Sequence, residues 1–195
     1  NHPSVASGYY NIGYVYFAQG DYSKALEYFE EVLKIRLSVY GENHSRVASV
    51  YNDIGEIYSV QGDDFKALDY FKKSLKIVLS VYGENHSQVS SIYDHIGEIY
   101  FAQKDYSKAL YYFEESLKIR LSLFGENHPE VALSYYSIGS LYIIQGDKSK
   151  ALNYYEKSLK IRLSVYGENH PLTKEIMDLI NVANSKVLQS PETTK

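Results

Sequence analysis

The chain has 195 residues, 45% of them hydrophobic, and a net charge of −4, so it can form an apolar core but lacks the basic surface of a nucleic-acid-binding protein. Without cysteine it has neither disulfides nor thiolate metal sites, which is compatible with a cytoplasmic location. No apolar run approaches the roughly 18 residues of a membrane span, so we predict no membrane contact.

A four-residue motif, Gly-Glu-Asn-His, recurs along the chain. It begins at Gly41, Gly83, Gly125 and Gly167, always 42 residues apart. Residues 41–82 and 83–124 are identical at 26 of 42 positions. Such a fixed period predicts one elongated body of stacked units rather than separate globular domains. Because Asn1 and His2 form the second half of the motif, we expect the chain to be a fragment of a longer protein.

Each unit is predicted as two helices, called helix A and helix B. In unit 1 (residues 1–42) helix A begins at Pro3 or Ser4 and ends at Gln19, and its apolar residues follow the helical period. Gly20 ends helix A, and Asp21 caps helix B, which spans Tyr22–Tyr40. The next units are residues 43–84, 85–126 and 127–168, with helices at Ser45–Gln61, Asp64–Tyr82, Ser87–Gln103, Tyr106–Phe124, Pro129–Gln145 and Lys148–Tyr166.

Residues 169–188 depart from the repeat and are predicted as a capping helix, and residues 189–195 as a flexible tail. One side of this helix can cover unit 4, through Ile176, Leu179, Ile180 and Ala183. The other side can face solvent, through Lys174, Glu175, Asp178 and Asn181. Self-association through the ends of the array is left open.

A pattern of aromatic, small and apolar residues carries a family resemblance. In unit 1 it consists of Tyr9, Ile12, Gly13, Tyr16, Ala25 and Phe29, and it returns in each later unit. This pattern resembles the tetratricopeptide repeat. The resemblance implies an all-α fold, a right-handed α-solenoid of antiparallel helix pairs. The mid-helix glycine costs about 1 kcal/mol against alanine, so we expect helix B to approach it closely at the alanine.

The motif at the start of each unit narrows the resemblance. Asn-His-Pro-x-Val-Ala occupies residues 127–132, and the period of 42 exceeds the usual tetratricopeptide length. Over about residues 1–185 the chain therefore resembles the repeats of kinesin light chains. That resemblance implies binding of a peptide or protein on a concave face lined by the A helices. Where kinesin light chains repeat an asparagine in helix A, this chain has Asn11, Asp53, His95 and Ser137.

The residues expected to point into the groove vary between units while the repeat pattern is held. They form a groove with aromatic ends and an acidic middle, and no lysine or arginine stands among them. We predict a peptide partner that carries Lys or Arg beside apolar anchors; an unselected solvated face is the alternative. The predicted groove residues are Tyr10, Asn11, Tyr14, Phe17, Asn52, Asp53, Glu56, Ser59, Asp94, His95, Glu98, Phe101, Tyr136, Ser137, Ser140 and Ile143.

Several groups of polar residues are candidates for catalytic, metal or ion-pair sites. Asp94 and Glu98 share a helix face, but we expect His95 to point about 100° away and to contact neither. The histidines at the unit starts (His2, His44, His86, His128 and His170) are expected to cap helices rather than bind zinc. Basic residues that recur on helix B are expected to form i, i+4 pairs with glutamates such as Glu30 and Glu31. They are Lys34, Lys76, Lys118 and Lys160, together with Arg36, Arg120 and Arg162. We predict no catalytic residue, no metal and no cofactor.

The sequence therefore predicts a non-enzymatic protein–protein interaction scaffold. One alternative is a structural spacer within a longer repeat array that has no groove ligand. The other is an enzyme, which would need an acid–base set that the sequence does not display.

Overall fold

A computed structural model describes residues 3–185. Over that range the chain forms nine α-helices and no strand: α1 (Pro3–Ala18), α2 (Tyr22–Tyr40), α3 (Ser45–Val60), α4 (Asp64–Tyr82), α5 (Ser87–Ala102), α6 (Tyr106–Phe124), α7 (Pro129–Gln145), α8 (Lys148–Tyr166) and α9 (Pro171–Ser185). Consecutive helices pack as pairs, and each helix B packs on the following helix A. The predicted all-α solenoid is confirmed, and its handedness stays a prediction. None of the described helices is long and apolar enough to cross a membrane.

The helix limits follow the sequence closely. The B helices and α7 have the predicted ends, whereas α1, α3 and α5 end one residue earlier than predicted. In α3, Gln61 is the C-cap and Gly62 follows it at φ 77°, a left-handed conformation that ends the helix. Units 1 to 4 contain the helix pairs α1–α2, α3–α4, α5–α6 and α7–α8. Residues 186–188 of the predicted cap and the predicted tail lie outside the described part of the chain.

Each helix B begins after an aspartate whose carboxylate accepts a hydrogen bond from a backbone N–H of the first turn. The Asp21 carboxylate accepts the backbone N–H of Lys24 at 3.2 Å, and the Lys24 ammonium lies 2.9 Å from the same carboxylate. The arrangement returns at Asp63, Asp105 and Asp147. Because a cap of this kind contributes about 1 kcal/mol, four copies fix where each helix B starts.

Each later helix A begins at a histidine. The Nδ1 atom of His44 accepts the backbone N–H of Arg46 at 3.1 Å, and its ring stacks on Tyr40 with centroids 4.6 Å apart. The same bond and stack occur at His86, His128 and His170. The predicted capping role is confirmed for these four, while His2 lies outside the described residues. Within residues 3–185, no three His, Asp or Glu side chains are grouped so that they could hold a metal ion.

The mid-helix glycines let helix B come close to helix A, as predicted, but the contact differs from the prediction. A Cβ atom at Gly97 would lie 2.7 Å from the Phe113 ring, and one at Gly55 would lie 2.8 Å from the Phe71 ring. The aromatic ring of helix B, one turn beyond the alanine, therefore fills the space that glycine leaves. The small alanine, such as Ala109, is itself fully buried beside this contact.

Tyrosine pairs line the outside of each unit. Tyr58 of α3 stacks on Tyr70 of α4 at 5.6 Å, and the Lys66 ammonium lies 4.8 Å above the Tyr58 ring. The equivalent pairs are Tyr16–Tyr28, Tyr100–Tyr112 and Tyr142–Tyr154. The rings pack while most stay half-buried, which suits a side chain with an apolar body and a polar tip.

The two ends of the described array differ. Helix α9 packs on α8, burying Ile176 and Ala183, while its Lys174 and Asp178 face solvent. This packing is consistent with a cap, and the capping role itself stays a prediction. At the other end, α1 leaves Ile12 and other apolar residues exposed, although their equivalents in α3, α5 and α7 are buried under the preceding helix B.

Candidate binding face

The sixteen predicted groove residues are called the A-helix face. The structure joins many of them into contacts that run from unit to unit. Asp53 of α3 interacts with Tyr10 of α1, and Glu56 of α3 interacts with His95 of α5. Helices α5 and α7 meet at a shared depression, described below. The A-helix face is thus one connected surface from α1 to α7.

His95 lies in the middle of this surface between two carboxylates. Its Nε2 atom is 3.4 Å from Glu56 of the preceding unit, and its Nδ1 atom is 3.8 Å from Glu98. The expectation that His95 contacts neither acidic neighbour is wrong for Glu98, because a residue three positions on lies close enough. Burial lowers the pKa of His95, but the bonds to both glutamates outweigh it and raise the pKa to about 9. A stack on Phe71 at 5.1 Å holds the ring in place.

Asp94 is bound differently from the way the sequence indicated. Its carboxylate lies 2.7 Å from the guanidinium of Arg120, a buried residue of α6. Arg120 also reaches Glu130 at 2.9 Å and the Ser134 hydroxyl at 2.8 Å, both on α7. The expected pairing with glutamates along helix B is therefore wrong for the arginines. It occurs for two lysines, since Lys34 lies 2.6 Å from Glu31 and Lys118 lies 3.5 Å from Glu115. Burial raises the pKa of Asp94 to about 6, although Arg120 acts in the opposite direction.

Asp53 is the most perturbed acid of the face. Burial raises its pKa to about 7, and Glu56 adds to the shift, whereas the Tyr10 hydroxyl and Arg36 oppose it. The same burial and the nearby Asp53 raise the pKa of Tyr10 to about 12. Arg36 comes from α2 and lies over the Tyr10 ring at 5.0 Å. Much of the acidic middle is thus compensated by arginines that the A helices do not carry.

An apolar depression of about 210 Å³ lies between α5 and α7. Phe101 and Tyr136 form its sides, with Ser137 and Ser140 beside them and Glu98 at its edge. The Ser140 hydroxyl hydrogen-bonds the Tyr155 hydroxyl at 3.1 Å. Two predicted apolar anchoring residues and one predicted acidic residue therefore meet at a single place.

The remaining members of the face are less integrated. Tyr14 is 58% exposed and lies 6.3 Å from the Phe17 ring. Ser59 is half-buried and Ile143 is 37% exposed. Asn11 lines a different depression, together with Ile12, Val15, Tyr16 and Gln19. These positions vary between units, as the well-connected positions of the face do. Sequence variation alone therefore could not distinguish the two groups.

The structure adds residues that the sequence prediction left out, chiefly the arginines of helix B. Arg36 donates to the Arg46 carbonyl at 2.7 Å, and Arg162 donates to the Leu172 carbonyl at 2.6 Å. Each guanidinium bridges helix A of its own unit to helix A of the next. The signal was present in the sequence as an arginine that returns every 42 residues, with the single exception of Val78.

Paired helices and a side-chain face that crosses every unit define a helical-repeat solenoid. The family model described as tetratricopeptide repeat matches residues 4–80, 46–122 and 88–164. The chain therefore belongs to the tetratricopeptide repeat family, as its residue pattern predicted. Comparison with curated protein sequences gives no significant match.

Solved structures agree with this assignment. BtubC (BKLC) from P. vanneervenii has a TM-score of 0.76 and 27% identity over 85% of this chain. A kinesin light chain-like protein of Podosopora anserina, with nearly identical TPR-like repeats, has a TM-score of 0.74 and 16% identity, and the match covers 97% of this chain and all of that one. The apo form of RapI has a TM-score of 0.79 and 18% identity over 94% of this chain.

The matched chains are not all of the same length. The present chain covers 66% of BtubC and 64% of RapI, which is just under two thirds of each. The identities to RapI and to the Podosopora anserina protein lie below 25%, so these two show the fold alone. The predicted resemblance to kinesin light chain-type repeats is therefore confirmed for the fold.

Proposed function

We propose that this chain is a non-enzymatic scaffold that binds an extended segment of another protein on the A-helix face. The segment carries Lys or Arg side chains beside apolar anchors. Membership of the tetratricopeptide repeat family supports a role in protein–protein interaction. No metal, cofactor or nucleic acid enters this proposal, and a cytoplasmic location stays a prediction.

One observation carries the proposal: Glu98 belongs both to the acidic middle and to the apolar depression. Its carboxylate faces His95 on one side and borders the Phe101–Tyr136 depression on the other. At 68% side-chain exposure it remains available to a ligand cation. A segment that places an apolar side chain in the depression would therefore hold a neighbouring cation close to Glu98.

Charge supports a cationic partner, with a correction to the sequence-based argument. Asp94 is already paired with Arg120, and Glu56 and Glu98 share the single positive charge of His95. The two glutamates therefore keep one net negative charge for a ligand, and Glu98 is the more exposed of the two. Complementary charge speeds encounter and sets specificity more than it adds affinity. We expect binding to weaken as salt rises, because exposed charges are screened over about 8–10 Å.

The test is a peptide array probed with the wild-type chain and with the double variant Glu56→Lys plus Glu98→Lys. The variant should lose most of the wild-type signal and associate more slowly, since two attractive charges become repulsive. The matched control is Glu27→Lys plus Glu156→Lys, which changes the net charge equally at exposed positions on α2 and α8. Equal binding by both double variants, or selection of acidic peptides, would refute this use of the face.

A second candidate, a structural spacer that stacks end to end, has one specific observation in its favour. Ile12 and Val15 of α1 are 40% and 52% exposed, whereas Ile54 and Ile57, at the same positions of α3, are fully buried. Large exposed apolar patches mark interaction sites. This candidate predicts concentration-dependent association in sedimentation velocity that the double variant Ile12→Ser plus Val15→Ser abolishes. A wild-type chain that stays monomeric at every concentration would argue against it.

A further inference from the structure

One position of helix B distinguishes unit 2 from the other units. It holds Arg36, Arg120 and Arg162 in units 1, 3 and 4, but Val78 in unit 2. Each of these guanidinium groups lies between two fixed walls. On one side the guanidinium contacts helix A of its own unit, at Tyr10, Asp94 or Tyr136. On the other side it contacts the first turn of the following helix (α3, α7 or α9), at Arg46, Glu130 or Leu172.

In unit 2 the short side chain of Val78 leaves this space open. A cavity of about 200 Å³ lies between α3, α4 and α5. Its walls include Asn52 and Gln88, which stand at the same two positions that hold the guanidinium elsewhere. Asp53 adds a carboxylate, and exposed Ser91 marks the side where the cavity meets solvent.

Three residues that line the cavity carry buried hydrogen-bond acceptors that lack donors. Asn52 Oδ1, Asp53 Oδ2 and Gln88 Oε1 are buried and have no hydrogen-bond partner among the described residues. The orientation of Asn52 is fixed, because its Nδ2 atom donates to Glu56 at 2.6 Å and so leaves the oxygen on the other side. An unpaired buried acceptor costs about 1–3 kcal/mol in general, so a group that donates hydrogen bonds to these residues would be favoured at the cavity.

A guanidinium group meets this need better than an ammonium ion does. It carries five N–H donors in a planar fork and no acceptor, whereas an ammonium ion is a compact point charge with three donors. The cavity is many times larger than the roughly 10–15 Å³ that admits one water molecule. Units 1, 3 and 4 already place a guanidinium at the equivalent location.

We propose that the cavity between units 2 and 3 is a guanidinium-binding subsite that takes an arginine side chain of the bound segment. This rests on the proposed function, since Asn52 and Asp53 belong to both the cavity and the A-helix face. The arginine supplies in trans the group that Arg120 supplies within unit 3. Burial raises the pKa of Asp53 towards neutrality, and a bound cation would lower it again.

The direct test uses N-acetyl-arginine amide as the probe and follows amide chemical shifts by NMR. We expect saturable shifts at Asn52, Gln88 and their neighbours, with a Kd on the order of millimolar for so small a ligand. The neutral isostere N-acetyl-citrulline amide should bind at least about tenfold more weakly, because it lacks the charge that pairs with Asp53. Equal shifts from both probes, or none at the cavity, would overturn the proposal.

Two substitutions at one position separate cation binding from mere filling of space. Val78→Arg restores the residue of the other units, so it should abolish probe binding and raise the melting temperature by about 2–4 °C. Val78→Met fills the cavity without satisfying the acceptors, so it should abolish binding without that rise. A Val78→Arg protein that melts no higher than Val78→Met, or that still binds the probe, would show that the cavity does not accept a guanidinium.

The same variants separate this inference from the proposed function. If a peptide binds wild type and Val78→Arg equally but fails with the Glu56→Lys plus Glu98→Lys variant, the subsite is wrong and the proposed function stands. If arginine amide binds at the cavity while no peptide binds the A-helix face, the subsite stands without the proposed function.

Discussion

The two junctions of unit 3 share a backbone and differ in chemistry. Towards unit 4, the guanidinium of Arg120 joins Asp94 to Glu130 within 2.9 Å. Towards unit 2, Val78 replaces the arginine, and the corresponding acceptors on Asn52 and Gln88 have no partner among the described residues. In a repeat array the shared positions maintain the stacking, so an exchange at one of them can convert a structural contact into an open site.

The largest expected effect comes from removing the arginine at the junction between units 3 and 4. Arg120→Met should lower the free energy of unfolding by about 3–5 kcal/mol, because it leaves the largely buried Asp94 carboxylate without its cation. Urea unfolding at pH 7 measures the change. Val78→Met introduces the same side chain at the equivalent position of unit 2 and should have a much smaller effect. Similar losses in the two variants would show that the two junctions do not differ in this way.

The interiors of units 2 and 3 should respond alike when a larger side chain is introduced. Gly55→Leu and Gly97→Leu would each drive a side chain into the Phe71 or Phe113 ring, and overpacking of this kind costs about 1–3 kcal/mol. Gly8→Ala is the control, because a Cβ atom there meets nothing within 4 Å and alanine favours the helix. Clearly unequal costs at the two glycines would mean that the units differ inside as well as at their junctions.

Asp53 makes the open junction sensitive to pH. Its folded pKa of about 7 exceeds its ordinary value of 3.8, so its contribution to stability is full below about pH 4 and is lost as pH rises through 7. Tyr10, Arg36 and Glu56 face it from α1, α2 and α3. Between pH 5 and 8, wild type should lose about 2–3 kcal/mol relative to Asp53→Asn. A constant difference over this range, measured by thermal melts, would contradict the shifted pKa.

The smallest effect concerns the turns. The turn between α5 and α6 has Lys104 at φ 62°, where unit 2 has Gly62 at φ 77°. A residue other than glycine is destabilised by about 1–2 kcal/mol in this left-handed region. Glycine avoids this strain, but it also increases the conformational entropy of the unfolded chain, which offsets part of the gain. Lys104→Gly should therefore stabilise by about 1 kcal/mol or less, and Gly62→Lys should destabilise. A Lys104→Gly protein with a lower melting temperature would contradict the strain.

The helices could be predicted because their signals are local. Asp21 and its equivalents cap the B helices, and the glycine after each helix B marks its end. The roles of Arg120 and His95 could not be predicted in the same way. Both side chains bond to residues on other helices, and spacing along one helix does not reveal which neighbouring unit a long side chain reaches. The open cavity was hidden for the same reason, since Val78 is an ordinary core residue until its neighbours are known.

The four histidine caps make every described junction separately observable. In each cap Nδ1 accepts a backbone N–H, so the ring proton of the neutral imidazole resides on Nε2. Each ring also stacks on its own aromatic partner, with centroid distances from 4.1 Å at Tyr82 to 4.6 Å at Tyr40. Ring currents should therefore shift the His86 signal most, while His44 and His170, with the same 4.6 Å distance, are told apart by substituting one of them. Because units in such arrays contact mainly their neighbours, each signal reports the opening of one joint, and fraying can be followed along the array without an added label.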